Sequence, residues 1–247
     1  MGRNIALTIQ YDGTRYDGWQ RQGNTQKTIQ ARLEAVLSRM TGEPVELHGS
    51  GRTDAGVHAA AQVANFHTSC ELDCAEIMRY VNRFLPRDIA VTSVREAGAR
   101  FHARLSAVRK HYRYRVRTSE VPDVFSRPYV WELGRALDIE AMRRAAEPLL
   151  GRHDFAAFCG NRHMKKSTVR TVFDINISEY GGETVIDYFG DGFLYHMVRI
   201  MTGTLVEAGL GERDAAGTGD LLASRDRNMA GSLAPAQGLC LMEVMYD

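Results

Sequence analysis

Apolar residues alternate with others from Asn4 to Asp12, with Ile5, Leu7, Ile9 and Tyr11 in phase. That period of two predicts a strand, ending at the Asp12-Gly13 turn signal. The spacing then changes: Ile29, Leu33, Val36, Leu37 and Met40 recur at helical intervals, with Thr28 as N-cap and Gly42 just past the end. Strands are expected at about Val45 to His48 and Gln62 to Thr68, joined by a glycine-rich stretch. Asp73 and Glu76 form a capping-box pattern ahead of Ile77, Tyr80, Val81 and Phe84, and Pro86 stops that helix. A strand near Ile89 to Val94 completes strand, helix, strand, strand, helix, strand, the ferredoxin-like order.

The rest of the chain repeats that order in its elements, though not in its residues. A strand is expected at Lys110 to Arg117, a helix at Asp138 to Leu149, strands at Thr168 to Ser178 and Thr184 to Phe189, a helix at Tyr195 to Ala208 and a strand at Leu239 to Met245. A short extra helix is expected around Gly219 to Ser224. The predicted fold class is therefore α+β, two ferredoxin-like halves with antiparallel sheets, spanning 1–104 and 105–247. Val121 to Pro128 and Gly211 to Pro235 are the least regular stretches.

Composition narrows the class. The chain has 247 residues, enough for one large or two small domains, and its 44% hydrophobic and 25% charged content is that of a globular protein. No run of about 18 apolar residues and no signal-peptide pattern is present, so a soluble, cytoplasmic protein is expected. Four scattered cysteines, Cys70, Cys74, Cys159 and Cys240, fit a reducing compartment. His67, Cys70 and Cys74 resemble three zinc ligands but lack a convincing fourth, and ordinary thiols are the preferred reading.

Lys and Arg number 31 against 30 Asp and Glu, a net of +1 that taken alone argues against a nucleic-acid partner. The distribution is uneven. Between Arg95 and Arg117, eight cations face the single acid Glu96, a local net of +7. Tyr112 and Tyr114 alternate with Arg113 and Arg115, so on a strand the rings face one way and the guanidiniums the other. Such a strand grips phosphates and stacks unpaired bases, or it is a solvated basic strand with its tyrosines in the core.

Three further stretches carry candidate chemistry. Gly49 to His58 is a loop of small residues whose charged groups are Arg52 and Asp54; Asp54 suits a nucleophile, a base or an Asx turn. The loop is not a P-loop. Around Asp191 to Gly203, Arg199 lies among apolar residues at helical spacing, so it needs a carboxylate partner or is aimed into a site. Tyr11 to Gln22 is polar, glycine-rich and aromatic, fit for a polyanion-gripping surface or a long turn. No zinc-protease, paired Cys-x-x-Cys or Gly-x-Ser-x-Gly motif occurs, and His58 and His196 read as structural or hydrogen-bonding residues.

Gly51-Arg52-Thr53-Asp54-Ala55-Gly56-Val57-His58-Ala59 resembles the catalytic loop of the pseudouridine synthase I family, tRNA enzymes acting on the anticodon stem-loop. Tyr11-Asp12-Gly13, Gly18-Trp19-Gln20, Phe101-His102-Ala103-Arg104, Tyr112-Arg113-Tyr114, Gly192-Phe193-Leu194, His196-Met197-Val198-Arg199, Ala234-Pro235 and Gly238-Leu239 follow in the family's order. Position 16 is Tyr, where the family leads one to expect Phe.

The resemblance implies that Asp54 is the essential carboxylate, Arg199 its salt-bridge partner, Tyr112 the ring that stacks on the target uracil, and Arg52 a residue that draws the nucleotide out of the stem. A base must leave its stack before its glycosidic bond is remade, and an Arg alongside a carboxylate favours its charged form. The implied reaction breaks the N1–C1′ bond of uridine, rotates the base and rejoins it through C5, at about positions 38, 39 and 40 of the tRNA. The product is an isomer, so no cofactor or metal is expected. Ring addition, attack at C1′ and a glycal route all stay open for Asp54, and Tyr112 is a candidate to take the C5 proton. The resemblance also implies a homodimer with tRNA contacting both subunits. The rival expectations are a catalytically silent RNA-binding protein, which has no need of Asp54 with Arg199, and a hydrolase, which lacks a partnered base or metal motif.

Overall fold

The computed structural model describes residues 2–247. The chain divides into two compact units, one reaching to Val108 and also taking in Cys240–Asp247, the other Arg109–Leu239. The expected division at 104/105 thus lies four residues early, and the final strand, expected to close the second half, groups with the first unit.

In the first unit, β1 (Arg3–Tyr11) is the central strand. Helix α1 (Ile29–Thr41), the two-residue β2 (His48–Gly49), β3 (His58–Thr68), α2 (Cys74–Phe84) and β4 (Ile89–Ala97) follow. Strands β3 and β4 flank β1, both antiparallel, with Ile5 opposite Phe66 and Glu96. Strand β2 pairs with β3, so the order β4-β1-β3-β2 is the antiparallel ferredoxin-like one. Ile5, Leu7, Ile9, Leu33, Leu37, Phe66, Ile77 and Val81 make its fully buried core.

The helix ends follow from local chemistry. The Thr28 side chain accepts from Ala31 N–H, and Gly42 takes the left-handed conformation (φ 76°) while its N–H donates to Ser38 O. In α2 the Asp73 and Glu76 side chains accept reciprocally from each other's backbone N–H groups, at 2.7 and 2.8 Å.

Strand β2 is shorter than the expected Val45 to His48, because α1 takes up the backbone groups before it. Val45 N–H donates to Ser38 Oγ (2.9 Å), Leu47 N–H to Glu34 Oε1 (3.0 Å), and Leu47 O accepts from Gln30 Nε2 (3.0 Å). Side chains of α1 satisfy these backbone groups, leaving no need of a neighbouring strand. Conversely β3 begins at His58, four residues before the expected Gln62. Ala59 pairs with Tyr11 of β1, a partner that overrides the weak strand preference of Ala59 and Ala60.

In the second unit β5 (Ala107–Arg117) enters from Arg109. It is followed by β6 (Trp131–Glu132), α3 (Ile139–Ala146), β7 (Gly151–Asp154), β8 (Val169–Tyr180), β9 (Glu183–Gly190), α4 (Met197–Gly209) and α5 (Thr218–Ser224). The sheet runs β5-β9-β8-β7, antiparallel throughout, with β6 parallel beside the end of β5. The sequence shows an apolar stripe on α4, but Met197, Ile200, Thr202, Gly203 and Thr204 are buried with it. Hydrogen bonds make this tolerable: Thr202 Oγ1 reaches Val198 O and the Tyr188 hydroxyl, both at 2.9 Å.

The C-terminal strand β10 (Leu239–Tyr246) pairs parallel with the start of β3, Cys240 opposite His58 and Leu241 opposite Ala59. Cys159 is buried, and Cys70, Cys74 and Cys240 are half-buried. No helix among the described residues is long and apolar enough to cross a membrane.

Candidate active-site elements

The loop carrying Asp54 is held from beneath by the N-terminal loop. Trp19 N–H donates to Thr53 O (3.0 Å), the Tyr11 hydroxyl pairs with Thr53 Oγ1 (2.8 Å), and Gly56 N–H donates to Tyr16 O (3.3 Å). Val57 N–H donates to Asp54 O at 3.1 Å, closing a turn around Gly56 at φ 78°. The packing excludes even a methyl group. A Cβ on Gly13 would lie 2.0 Å from Val57 O, and one on Gly18, itself at φ 92°, would lie 2.7 Å from Thr53 O. The Tyr11 to Gln22 stretch is therefore a buttress for the Asp54 loop.

Within this frame Thr53 and Val57 are buried and Asp54 is half-buried. Arg52 is exposed, and its Nε donates to Gln20 Oε1 (3.1 Å), while Gln20 Nε2 donates to Gln30 Oε1 (2.6 Å). His58 accepts from Gly13 N–H at Nδ1 (3.1 Å), the hydrogen-bonding role expected of it.

Tyr16 uses the hydroxyl that Phe lacks. It donates to Asp88 Oδ1 at 2.6 Å, and Arg15 Nη2 reaches Asp88 Oδ2 at 2.5 Å. Burial opposes ionisation of Asp88, but these donors outweigh it and hold the carboxyl below its ordinary value of 3.8. A depressed carboxyl contributes stability that is full above its unfolded value and lost as pH falls through the lower folded value. Asp88→Asn should therefore flatten the acid limb of a melting-temperature profile below about pH 4. An unchanged acid limb in that variant would remove Asp88 from this role.

In the second unit Tyr112 is only 7% exposed and meets Phe193 edge-on, centroids 5.3 Å apart at 85°. Arg199, half-buried on α4, donates from Nε to Ala234 O (2.7 Å), and Ala234 N–H donates back to Arg199 O (3.2 Å). The Tyr114 hydroxyl donates to Pro235 O at 2.7 Å, and a Cβ on Gly238 would strike the Tyr114 ring at 2.6 Å. The Ala234-Pro235 and Gly238 motifs thus set the aim of Arg199 and the seat of Tyr114. Burial pushes the Tyr114 hydroxyl well up, with Arg199 opposing. His196 opens α4 in the left-handed region at φ 64°, stacked on Tyr195 at 3.6 Å, a strained position for a residue with a side chain. The first unit therefore carries Asp54 and Arg52 on one loop, and the second carries Tyr112 and Arg199.

The basic strand needs correction. Tyrosines and arginines do face opposite ways, with Tyr112, Tyr114 and Val116 buried. The arginine face, however, is matched to acids on β9. Arg113 binds Asp187 through two bonds (2.9 and 3.0 Å), with His111 Nε2 2.5 Å from the same carboxylate. Arg115 binds Glu183 through two more (2.7 and 2.9 Å), and Arg117 lies 3.4 Å from it. Arg109 lies over the Phe189 ring at 4.6 Å. Two of the seven excess charges are thus offset by acids about seventy positions downstream in the chain, and the three arginines Arg113, Arg115 and Arg117 are engaged by them.

A different basic stretch escapes a reading focused on that strand. Arg162, His163, Lys165 and Lys166 are all exposed, and no acid occurs between Asp154 and Asp174. A running charge sum along the chain would have marked it.

The chain matches the family model described as tRNA pseudouridine synthase over residues 7–105 and 145–247. It is 47% identical over 244 residues to "tRNA pseudouridine synthase A" of Geotalea uraniireducens, covering 99% of this chain and 100% of that protein. It is 43% identical over 243 residues to "tRNA pseudouridine synthase A 2" of Bacillus cereus, covering 98% and 99%. "tRNA pseudouridine synthase A" of Acetivibrio thermocellus is 43% identical over 244 residues, covering 99% and 100%. The similarity extends over nearly the full length of each of these proteins, and the chain belongs to the tRNA pseudouridine synthase family, isomerases that act on tRNA.

Proposed function

We propose that this protein isomerises uridine to pseudouridine in the anticodon stem-loop of tRNA, at about positions 38 to 40, with Asp54 as the essential carboxylate. The observation that carries the reading is the Asp54 loop. Its neighbours Thr53 and Val57 are buried and pinned by backbone and hydroxyl bonds, while Asp54 itself is half-buried. A rigid loop presenting a carboxylate is what covalent or base catalysis requires.

In this reading Arg199 partners Asp54, Tyr112 stacks on the uracil and Arg52 helps to draw the nucleotide out. The Ala234 carbonyl holding Arg199 supports the first role, because a fixed guanidinium orients a carboxylate with little loss of freedom. Phe193 edge-on against Tyr112 supports the second by fixing the ring plane. The reading includes a cytoplasmic homodimer, each tRNA contacting both subunits.

The test is to incubate unmodified tRNA with the protein and map pseudouridine in the anticodon arm. Conversion at those positions is expected, and an unchanged arm overturns the reading. Arg199→Ala should retain tRNA affinity within about threefold while losing on the order of 10²-fold or more in turnover. Turnover near that of the parent would remove Arg199 from the site. Sedimentation with and without tRNA tests the dimer, and a monomer in both states overturns that part alone.

A further inference from the structure

A cavity of about 500 Å³ lies within the second unit, lined among others by Gly160, Arg162, His196, Arg227, Asn228 and Ser232. Its volume falls in the range of small-ligand sites. Two guanidiniums dominate its wall. Arg162 Nη2 donates to Asn228 Oδ1 (2.5 Å) and Arg227 Nη1 to Ala230 O (3.3 Å), both neutral acceptors. Glu207 attracts Arg227 through space, but its carboxylate is engaged by Arg213 (3.1 Å) and by Ser232 N–H (2.8 Å). Burial and the neighbouring Arg162 charge both disfavour the charged form of Arg227, the condition that a bound anion relieves.

Two further features carry the same sign. His196 and Ile200 place the first turn of α4 on the wall, the positive end of a thirteen-residue helix. Arg162, on the cavity wall, also opens the exposed run His163, Lys165 and Lys166, so the basic stretch continues along the chain from the cavity. Paired cations in a cavity continuous with a basic loop suit a phosphate that belongs to a chain of phosphates.

We propose that this cavity seats a backbone phosphate of the tRNA, with Arg162 and Arg227 as its ligands and the 161–166 loop following the adjoining strand. The proposal rests on tRNA being the substrate. It adds a second anchoring point to a molecule whose arginine-rich β5 face is largely committed to internal ion pairs. Such an anchor fixes register on the RNA without reading its sequence.

The experiment uses the protein itself, its Arg162→Gln/Arg227→Gln double variant and its Arg162→Lys/Arg227→Lys double variant. tRNA affinity is measured by anisotropy between about 50 and 300 mM salt. The Gln pair should weaken binding about tenfold at the low end and reduce the slope of log affinity against log salt by about one to two. The loss should fall on KM rather than on kcat, and the Lys pair should keep most of the slope. Arg162→Gln alone, at an exposed position, should lower the slope by about one, which covers the case in which the double variant melts early. Unchanged affinity and slope in a folded Gln variant overturns the proposal. So does a site that binds inorganic phosphate through these arginines while tRNA affinity is unaffected, the signature of a small-anion pocket. If the parent makes pseudouridine and the variants match it, this inference alone fails; a parent without activity on tRNA overturns the functional reading beneath it.

Discussion

Asp54→Asn should abolish pseudouridine formation, by about 10³-fold or more in single-turnover mapping, while tRNA still binds. An amide of equal size cannot add to the uracil ring, attack C1′ or remove a sugar proton, so the loss is common to all three routes open to the carboxylate. The fold should persist. The contacts that pin the loop come from the backbone of Trp19 and Tyr16, the hydroxyl of Tyr11 and the close approach of Gly18 and Gly13. A melting temperature within about 3 °C of the parent is therefore expected, equivalent to roughly 1 kcal/mol. A folded Asp54→Asn protein with turnover within tenfold of the parent would remove Asp54 from the chemistry and leave the family assignment untouched.

Trp19→Ala should have the largest effect on stability. The ring is 2% exposed and lies beside Tyr11 with centroids 6.0 Å apart. It also fills the gap over Gly49, where a Cβ would come within 2.5 Å of the indole Nε1. Removing a fully buried Trp costs about 3–5 kcal/mol, a large share of the roughly 5–15 kcal/mol that holds a domain folded. For a chain of this length that lowers the melting temperature by roughly 6–20 °C. The consequence extends to activity, since Trp19 N–H holds Thr53 O and the vacated space lies beneath the Asp54 loop. Trp19→Phe should lose less on both measures. A Trp19→Ala protein melting within 2 °C of the parent would show that the ring does not brace this loop.

Local signals were legible wherever the chain satisfies its own backbone. Thr28 and Gly42 bound α1, and Asp73 with Glu76 opens α2, because each cap is made within four residues. The period-two pattern of β1 was legible because its core face is apolar throughout. Two strand limits were not. Val45 to Leu47 looks like a strand but bonds to side chains of α1, while the start of β3 looks too rich in alanine and is held by Tyr11 and β10. Both depend on partners that are distant in the chain.

The candidate residues divide in the same way. Asp54, Arg52, Tyr112 and Arg199 stand out from the motifs around them, because glycines, small residues and alternating rings are local requirements of a tight loop or a half-buried strand. Why Tyr11 to Gln22 is so rich in glycine and aromatics is visible only when it lies against Thr53 to Val57 with no room for a Cβ. Charge shows the contrast most sharply. Composition sets a net of +1 and a run of arginines from Arg95 to Arg117, but Coulomb pairing depends on distance in space. Antiparallel register puts Asp187 across from Arg113 and Glu183 across from Arg117, so three of the five cations on the most basic strand in the sequence are engaged within the sheet. Which cations remain to meet a polyanion, among them Arg162 and Arg227, is a property of the folded sheet, loops and cavity.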